Sequence, residues 1–397
     1  MSTDVDLYNL SPTAHLLIVG ALIASMPLAW VWWRSRHVPA EAHASEAKRQ
    51  RYGLLVTVTL FLTFDLILFG AFTRLTDSGL GCPDWPGCYG AATPLGAAAQ
   101  IDAAQTAMPT GPVTTGKAWI EMVHRYLASG VGGLILVMCL MAWRTRSQRN
   151  TGTTESQAVS GVSPWVATFT LFWVCVQGSF GALTVTMKLF PAIVTLHLLG
   201  AMVLLALLRV QQIQIQPAKA QPAGPLSMGL WVFLVAVFVL VWVQMGLGAW
   251  VSTNYAVLAC QDFPTCQGSW WPAMNFAQGF EWWRPLGLRS DGQPIAFEAL
   301  TAIHYVHRLL AYVVLAGLAW AGWRLRQTQG WHMTGSLLWL AGGWQLLTGV
   351  SNVVLGWPLA AAVSHTGGAA VTVLLLTGAI LRARRDRYVI PSKVPLS

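Results

Sequence analysis

The sequence predicts an all-α polytopic membrane protein. The chain of 397 residues is 55% hydrophobic and only 10% charged, whereas soluble domains carry about 25% charged residues. It also contains several apolar runs of about 20 residues, the length at which a helix crosses the ~30 Å hydrocarbon core of a bilayer. These runs lack the period-2 alternation of a closed barrel, the other architecture that satisfies the backbone in lipid.

Nine segments are long and apolar enough to be membrane spans. Short connections join most of them, and two long loops cover residues 74–117 and 252–298. No Lys or Arg precedes the first span, and a signal peptide begins with a basic region, so this helix is expected to be retained. The predicted spans are 13–33, 53–73, 118–142, 164–186, 192–210, 229–251, 299–322, 334–354 and 358–381.

Lysine and arginine are concentrated in alternate loops. Because basic residues accumulate in cytoplasmic loops, this pattern predicts an outer N-terminus, an inner C-terminus and outer positions for both long loops. The net charge of +9 is therefore a topology signal, and nucleic acid is not an expected partner. The basic segments are 34–52, 143–163, 209–228, 323–333 and 382–397.

Three blocks of sequence occur twice in the same order. "GAFTRLTDSGLGCPDWPGCYG" from Gly70 aligns with "GAWVSTNYAVLACQDFPTCQG" from Gly248, and "VHRYLA" aligns with "VHRLLA". Residues 177–203 then align with 345–371. Such repeats indicate a duplicated unit, and an even number of spans in each copy predicts parallel copies. We therefore expect two tandem four-helix bundles plus one extra N-terminal transmembrane helix.

The duplication divides the chain into two repeated units with flanking segments. An inside linker joins the N-terminal four-helix unit to the C-terminal four-helix unit. The extra helix and an inside basic loop precede the first unit, and an inside basic tail follows the second. In chain order the five parts are residues 1–52, 53–210, 211–228, 229–381 and 382–397.

Four of the nine histidines are expected at matched depth, about five to nine residues into helices that enter from the outside, or ~8–14 Å below the outer surface. An ionisable residue inside a membrane suggests a function. Each unit has two, on its second and fourth helices, where facing side chains of a bundle hold cofactors. Two opposed imidazoles suit a six-coordinate haem iron. These histidines are His124, His197, His307 and His365.

Other interpretations of these histidines stay open. A lone buried histidine is more often a hydrogen-bond partner of a neighbouring helix, although four in repeated pairs favour a shared role. Zinc would need four ligands in one tetrahedral site, which pairs in separate units do not supply. His304 lies three residues before His307 and is an alternative ligand, although the shared "HR" favours His307.

The residues beside the first histidine of each unit suggest further roles. Arg125 and Arg308 each follow a histidine, and they either bind haem propionates through a guanidinium fork or extend to the outer headgroups. Glu121 lies three residues before His124 on the same helix face, where the second copy has His304. A carboxylate also suits a helix N-terminus, but its presence in one copy predicts different chemistry in the two halves.

Each outer loop contains two cysteines, Cys82 and Cys88 in the first and Cys260 and Cys266 in the second. Because disulfides persist outside the cytoplasm, each pair is expected to close a small loop over its bundle. The spacing does not decide whether such a pair is a structural staple or a redox-active site. The remaining cysteines, which lie within spans and are expected to be buried, are Cys139 and Cys175.

Together these motifs resemble haem A synthase over nearly the whole chain from about residue 53. The two cysteine pairs resemble those of the cysteine-bearing bacterial subtype. The chain departs from the eight-helix pattern of the family by its extra first helix, whose role the resemblance leaves open. The motifs are "GLGCPDWPGC" at 79–88, "EMVHR" at 121–125, "HLLGA" at 197–201, "HR" at 307–308 and "HTGGA" at 365–369.

The resemblance implies an oxidoreductase that converts haem O to haem A for terminal oxidases, by oxidising a ring methyl to a formyl group with water as the oxygen source. It implies that His124 and His197 are axial ligands of the substrate haem O, that His307 and His365 are axial ligands of a haem b cofactor, and that Glu121 is catalytic. The implied partners are haem O, membrane lipid, a haem O synthase and an electron acceptor. The implied location is the cell inner membrane, and the oligomeric state stays open.

Three other functions fit parts of the sequence. A di-haem cytochrome b-type electron carrier or quinol oxidoreductase explains the four histidines but not a glutamate in one copy only. A membrane thiol oxidant uses the loop cysteines and leaves the histidines unexplained. A haem exporter would use tryptophans in the second outer loop, but aromatic belts explain them equally well. These tryptophans are Trp270, Trp271, Trp282 and Trp283.

Overall fold

The computed structural model describes residues 10–36, 44–149, 163–216 and 224–389, and regular structure in these ranges is helical, with no β-strand. Nine of the described helices are long and apolar enough to cross a membrane, which confirms the predicted fold class. The α-helices are α1 Ser11–Ser35, α2 Ala44–Leu75, α3 Ala98–Ala107, α4 Thr115–Arg149, α5 Pro164–Thr186, α6 Pro191–Ile215, α7 Met228–Thr253, α8 Phe276–Gly279, α9 Phe297–Arg326, α10 His332–Val354 and α11 Leu359–Val389.

Several helices extend beyond the predicted spans. The helix α2 begins at Ala44, although its apolar run begins near residue 53. Its first turns contain alanine, glutamate, lysine, arginine and glutamine, which are among the strongest helix formers. The hydropathy pattern shows where a helix enters the lipid. The helix propensity of the flanking polar residues decides how far the helix extends beyond that point.

The chain forms two compact units, Met1–Ile193 and Val194–Ser397. The boundary falls inside α6, whereas the repeat places it in residues 211–228. The tandem organisation of two four-helix units therefore stays a prediction from the sequence.

In the first unit α4 is the central helix. It packs against α1, α2 and α5, and α3 lies against it. The contact with α1 is close, since a Cβ on Gly20 would lie 2.5 Å from the Cβ of Ser129. Small residues allow such approach between helices in lipid. The extra N-terminal helix is therefore an integral part of this unit.

In the second unit α7, α9, α10 and α11 form a four-helix bundle. Both α9 and α11 pack along α7 and along α10. It follows that α9 and α11 lie at opposite corners, with their inward side chains directed across the core. The helix α6 also contacts α7, where the hydroxyls of Thr195 and Thr253 are 3.2 Å apart.

The two cysteines within spans differ in exposure. Cys139 is buried as expected, but Cys175 is exposed, so its predicted burial is wrong. Cys175 lies on the side of α5 that carries Phe172, which is also exposed. Apolarity alone does not distinguish a core residue from one on an outward helix face in a membrane protein.

Candidate functional site

The first cysteine loop is held against α4 by two charged side chains. Glu121 accepts a hydrogen bond from the backbone N–H of Cys82 at 2.8 Å and forms an ion pair with Arg125. Arg125 donates to the carbonyls of Pro86 at 3.1 Å and Gly87 at 2.6 Å. Both charged residues are buried, with 4% and 8% of their surface exposed. The pair thus joins the loop to the helix that carries His124.

The second cysteine loop is held on α9 by the corresponding arginine. Arg308 donates to the carbonyls of Cys260 at 2.9 Å, Asp262 at 2.8 Å and Thr265 at 2.8 Å. A guanidinium carries five donors in a fixed fork, which allows one side chain to bind three carbonyls. Each arginine therefore has an observed role as a loop anchor, and its binding of a haem propionate stays a prediction.

His304 occupies the position that Glu121 has in the first copy. It is buried, and its Nδ1–H donates to the carbonyl of Ala256 at 3.1 Å. Glu121 accepts from the first loop, whereas His304 donates to the segment that leads into the second. The equivalent helix position thus holds the loop in both copies, through an acceptor in the first copy and a donor in the second.

An aspartate closes each cysteine loop by accepting hydrogen bonds from two successive backbone N–H groups after the second cysteine. These bonds occupy both carboxylate oxygens, so each aspartate is committed to the shape of its loop. The bonds join Asp84 to Tyr89 at 2.6 Å and Gly90 at 2.7 Å, and Asp262 to Gln267 at 2.7 Å and Gly268 at 3.0 Å.

Asp262 also accepts a hydrogen bond from the hydroxyl of Thr265. This hydroxyl, together with the N–H groups of Gly268 and Gln267, lowers the pKa of the Asp262 carboxyl to about 2. Hydrogen bonds to a carboxylate stabilise its charged form. The carboxylate that closes the second loop therefore stays ionised well below neutral pH.

Both predicted cysteine pairs are disulfides. Cys82 and Cys88 are joined with their Cα atoms 4.8 Å apart, and Cys260 and Cys266 are joined with the same separation. All four residues are fully buried. The pairing predicted from the sequence is confirmed, and both bonds lie beneath other parts of the chain.

Two candidate ligands lie directly over a glycine of a neighbouring span. A Cβ on Gly70 would lie 3.0 Å from Nε2 of His124, and a Cβ on Gly248 would lie 2.9 Å from Cε1 of His307. The repeat aligns these two glycines. Their lack of a side chain leaves room for an imidazole at the same place in both copies.

The second unit brings His307 and His365 together across its bundle. The two imidazoles come from the opposite corners α9 and α11, whose inward side chains face each other across the core. Nδ1 of His307 lies 3.0 Å from the amide of Gln244, and Nδ1 of His365 lies 2.8 Å from the hydroxyl of Thr348. Metal-ligating histidines usually donate their other ring N–H to a partner. The Thr348 hydroxyl, which itself donates to the carbonyl of Trp344, can accept such a bond from His365, whereas the Gln244 amide group is a donor to Nδ1 of His307.

Neighbouring glutamines fix the backbone of the same two histidines. The amide of Gln244 donates to the carbonyl of His307 at 3.0 Å, and that of Gln345 donates to the carbonyl of His365 at 2.8 Å. The repeat marks the glycines as shared positions. The sequence contains no signal that separates Gln244 or Thr348 from other polar residues in spans, because their partners come from distant helices.

The first candidate pair is divided between the compact units. His124 lies on α4 in one unit, and His197 lies on α6 in the other. Nδ1 of His197 is buried and has no hydrogen-bond partner among the described residues. Pairing of these two histidines stays a prediction from the repeat.

Comparison with known proteins identifies relatives over most of the chain. The family described as COX15-CtaA, cytochrome oxidase assembly protein, matches residues 53–377. A protein of Shewanella oneidensis named "Heme A synthase" is 36% identical, over 81% of this chain and 93% of its own length. Proteins of the same name from Halalkalibacterium halodurans and Allorhizobium ampelinum are 25% and 27% identical, over 79% and 90% of this chain and 90% and 97% of their own lengths.

Proposed function

The chain belongs to the COX15-CtaA family of cytochrome oxidase assembly proteins, and from this premise we propose that it is a haem A synthase. In this proposal it is a membrane oxidoreductase that converts a ring methyl group of haem O to a formyl group. The observation that carries the proposal is the buried Glu121–Arg125 pair bound to the first cysteine loop, since the matching position of the second copy is a histidine.

The proposed substrate side is built on α4. We assign His124 and His197 as the axial ligands of haem O, because the repeat pairs them as it pairs His307 and His365. Two histidines that hold the haem iron would leave no position on it for O₂, which is the reason for proposing water as the oxygen source. Conversion of a methyl to a formyl group with one water molecule releases four electrons and four protons, so the electrons must pass to the proposed acceptor and the protons must leave the site.

Glu121 is the proposed catalytic residue. A carboxylate at this position can stabilise positive charge that develops at the oxidised carbon, or can take a proton from the attacking water. Its two oxygens already accept hydrogen bonds from Cys82 and Arg125. This arrangement fixes the carboxylate and favours charge stabilisation, because proton transfer would require one of these bonds to be exchanged for water.

The proposed cofactor side is the bundle that contains His307 and His365. A haem b held between them would supply electron transfer. The "HR" motif that both copies share and the contact of Gly248 with His307, which matches that of Gly70 with His124, support His307 as the ligand. Nε of Arg308 has no partner among the described residues and is the donor that we assign to a propionate.

We place the protein in the cell inner membrane, with both cysteine loops and the N-terminus outside. The alternation of basic loops supports this orientation. The partners proposed are haem O, a haem O synthase that supplies it, and an electron acceptor. A di-haem cytochrome b-type carrier would account for His307 and His365 but does not explain why only the first copy has a glutamate, Glu121, where the second has His304.

Pigment analysis tests the proposed function. The protein is produced beside a haem O source, and its haems are extracted and separated by chromatography. Haem A synthase activity predicts haem A together with haem b, whereas an electron carrier predicts haem b alone. Detection of haem b without haem O or haem A would contradict the proposal.

Substitution of Glu121 tests its assigned role. Glu121→Gln keeps an acceptor for the Cys82 N–H but removes the charge, whereas Glu121→Ala removes both. We expect either variant to keep bound haem and to lose haem A formation by about 10²-fold or more, the usual scale for removal of one group that stabilises transition-state charge. His304→Gln, the matched change in the second copy, is expected to keep haem A formation. Normal haem A output from both Glu121 variants would refute the assignment.

A further inference from the structure

The N-terminal helix α1 lies before the family match, which begins at residue 53. Its first turns nevertheless pack on the first cysteine loop. A Cβ on Gly87 would lie 3.0 Å from the Cβ of Pro12. One turn further along α1, Leu16 belongs to the buried apolar cluster that contains Cys82 and Cys88. The family pattern assigns no role to this contact.

The position of α1 over the loop is fixed by its crossing with α4. A Cβ on Gly20 would lie 2.5 Å from the Cβ of Ser129, and a Cβ on Gly130 would lie 2.7 Å from Ile23. Helices that approach this closely in lipid are held by van der Waals packing between small residues. Leu16 lies one turn from Gly20, so this crossing sets the position of Leu16 within the buried cluster that contains both cysteines.

The second disulfide is covered by a different element. Cys260 and Cys266 cluster with Tyr305 and Met274, and the Tyr305 hydroxyl donates to the carbonyl of Trp270. Met274 and Trp270 belong to the second long loop itself. The second disulfide therefore clusters with its own loop and with α9. The first disulfide clusters with its own loop and with α4 and, in addition, with Leu16 of α1.

We propose that α1 is a cover for the Cys82–Cys88 disulfide, with Leu16 and Gly20 as positioning residues. Reduction of a disulfide begins when a thiolate attacks one sulfur, and a dithiol then supplies the two electrons and two protons and is itself oxidised to a disulfide. Attack requires access to sulfur, and α1 restricts that access. The rate at which dithiols reach the first disulfide is thus set by a helix outside the family match.

The cover also acts on Glu121 through the loop. The N–H that binds the Glu121 carboxylate belongs to Cys82, which lies in the same buried cluster as Leu16. A loop that moves away from α4 would withdraw this N–H and change the position of the carboxylate. This second part rests on the proposed function of Glu121, whereas the shielding of the disulfide does not.

Reduction kinetics of the full-length protein test the cover. The purified protein is treated with dithiothreitol, free thiols are alkylated at intervals, and each pair is quantified by mass spectrometry. Leu16→Ala is expected to speed reduction of Cys82–Cys88 about tenfold or more, because truncation of a buried leucine leaves a cavity that favours local opening. Cys260–Cys266 is the internal control and should keep its wild-type rate.

Leu17→Ala is the matched control on the same helix, since Leu17 is 63% exposed and should leave both rates unchanged. Pro12→Gly removes the ring that lies over Gly87 and provides a second variant if Leu16→Ala folds poorly. Leu16→Met, which conserves volume, should restore the slow rate. Unchanged reduction of Cys82–Cys88 in both Leu16→Ala and Pro12→Gly would overturn the proposal, as would equal acceleration of the two disulfides.

Haem measurements separate the two parts of the proposal. The absorbance of haem held by His307 and His365 should be unchanged in Leu16→Ala, while haem A output falls severalfold. Faster reduction of Cys82–Cys88 with normal haem A output would support the shielding of the disulfide by α1 but contradict an effect of α1 on Glu121. The reduction kinetics do not depend on haem conversion, so failure of the proposed function would appear separately, as absence of haem A from the wild-type protein.

Discussion

At two glycines, the absence of a single methyl group leaves space for a candidate ligand. Gly70 lies against His124 and Gly248 against His307, at distances that a Cβ would make too short. Gly349 lies against His365 in a looser way, since a Cβ there would lie 3.4 Å from Cε1, which is an ordinary contact. The glycines thus differ in how strictly they limit the neighbouring imidazole.

Gly248→Ala is expected to displace His307 and weaken haem binding in the second unit. Overpacking of a filled site costs roughly 1–3 kcal/mol, which corresponds to a loss of about tenfold or more in haem affinity. Titration with haem, followed through the absorbance of the bis-histidine form, measures the effect. Gly349→Ala is the control and should bind haem as the wild type does. Equal affinity in both variants would show that Gly248 does not position the ligand.

The carboxylate of Asp262 predicts how the second loop responds to pH. Its folded pKa of about 2 lies below the ordinary 3.8, so its contribution to loop stability is present above about pH 4 and is lost as the pH falls through 2. A phosphine reductant, which acts over a wide pH range, should reduce Cys260–Cys266 at a steady slow rate between pH 8 and pH 5. Asp262→Asn should give fast reduction throughout this range, since an amide cannot accept all of the same hydrogen bonds.

Asp291→Asn is the control for this experiment, because Asp291 lies in the same long loop and pairs with Arg289 in an exposed ion pair. It should keep the wild-type rate of reduction. Slow reduction in Asp262→Asn would mean that other contacts hold the loop closed.

At the scale of elements, each cysteine loop is fixed by the helix that carries a candidate ligand. Arg125 and Arg308 follow a histidine in the sequence, and each binds carbonyls of its loop. The sequence predicted the nine spans because hydropathy is a property of the side chains themselves. It could not predict these arginine contacts, because backbone carbonyls are present at every residue and only the folded loop brings them together.

Arg308→Lys should loosen the second loop. Lysine carries a single charged group in place of a planar fork, so it cannot reach three carbonyls at once. Hydrogen bonds to charged groups contribute about 1.5–3 kcal/mol each, and loss of one should speed reduction of Cys260–Cys266 by about tenfold. Arg289→Lys, at an exposed ion pair of the same loop, is the matched control. A normal rate in Arg308→Lys would show that charge alone holds the loop.

At the scale of the whole molecule, Lys and Arg are rare on the side of the membrane that holds the first disulfide and are frequent on the opposite side. Residues 76–114, which contain the first disulfide, have no Lys or Arg. Basic residues occupy the opposite ends of spans, as Arg324 and Arg326 do in the last turn of α9. Arg326 lies 4.5 Å from the centre of the Trp339 ring, an arrangement typical of side chains that anchor a helix at the membrane surface.

The charge pattern of the sequence predicts which loops lie outside, and that location in turn predicts that their cysteines form disulfides. The division of α6 between two compact units had no signal in the sequence.

Alkaline phosphatase fused after Met108 should be active, because the enzyme needs an oxidising compartment, and the same enzyme fused after Thr328 should be inactive. Green fluorescent protein at the same two positions is the control and should show the opposite pattern. The reverse result would place the cysteine loops in the reducing cytosol, where disulfides are rarely stable. It would thereby remove the basis for a permanent Cys82–Cys88 bond and for a helix that protects it.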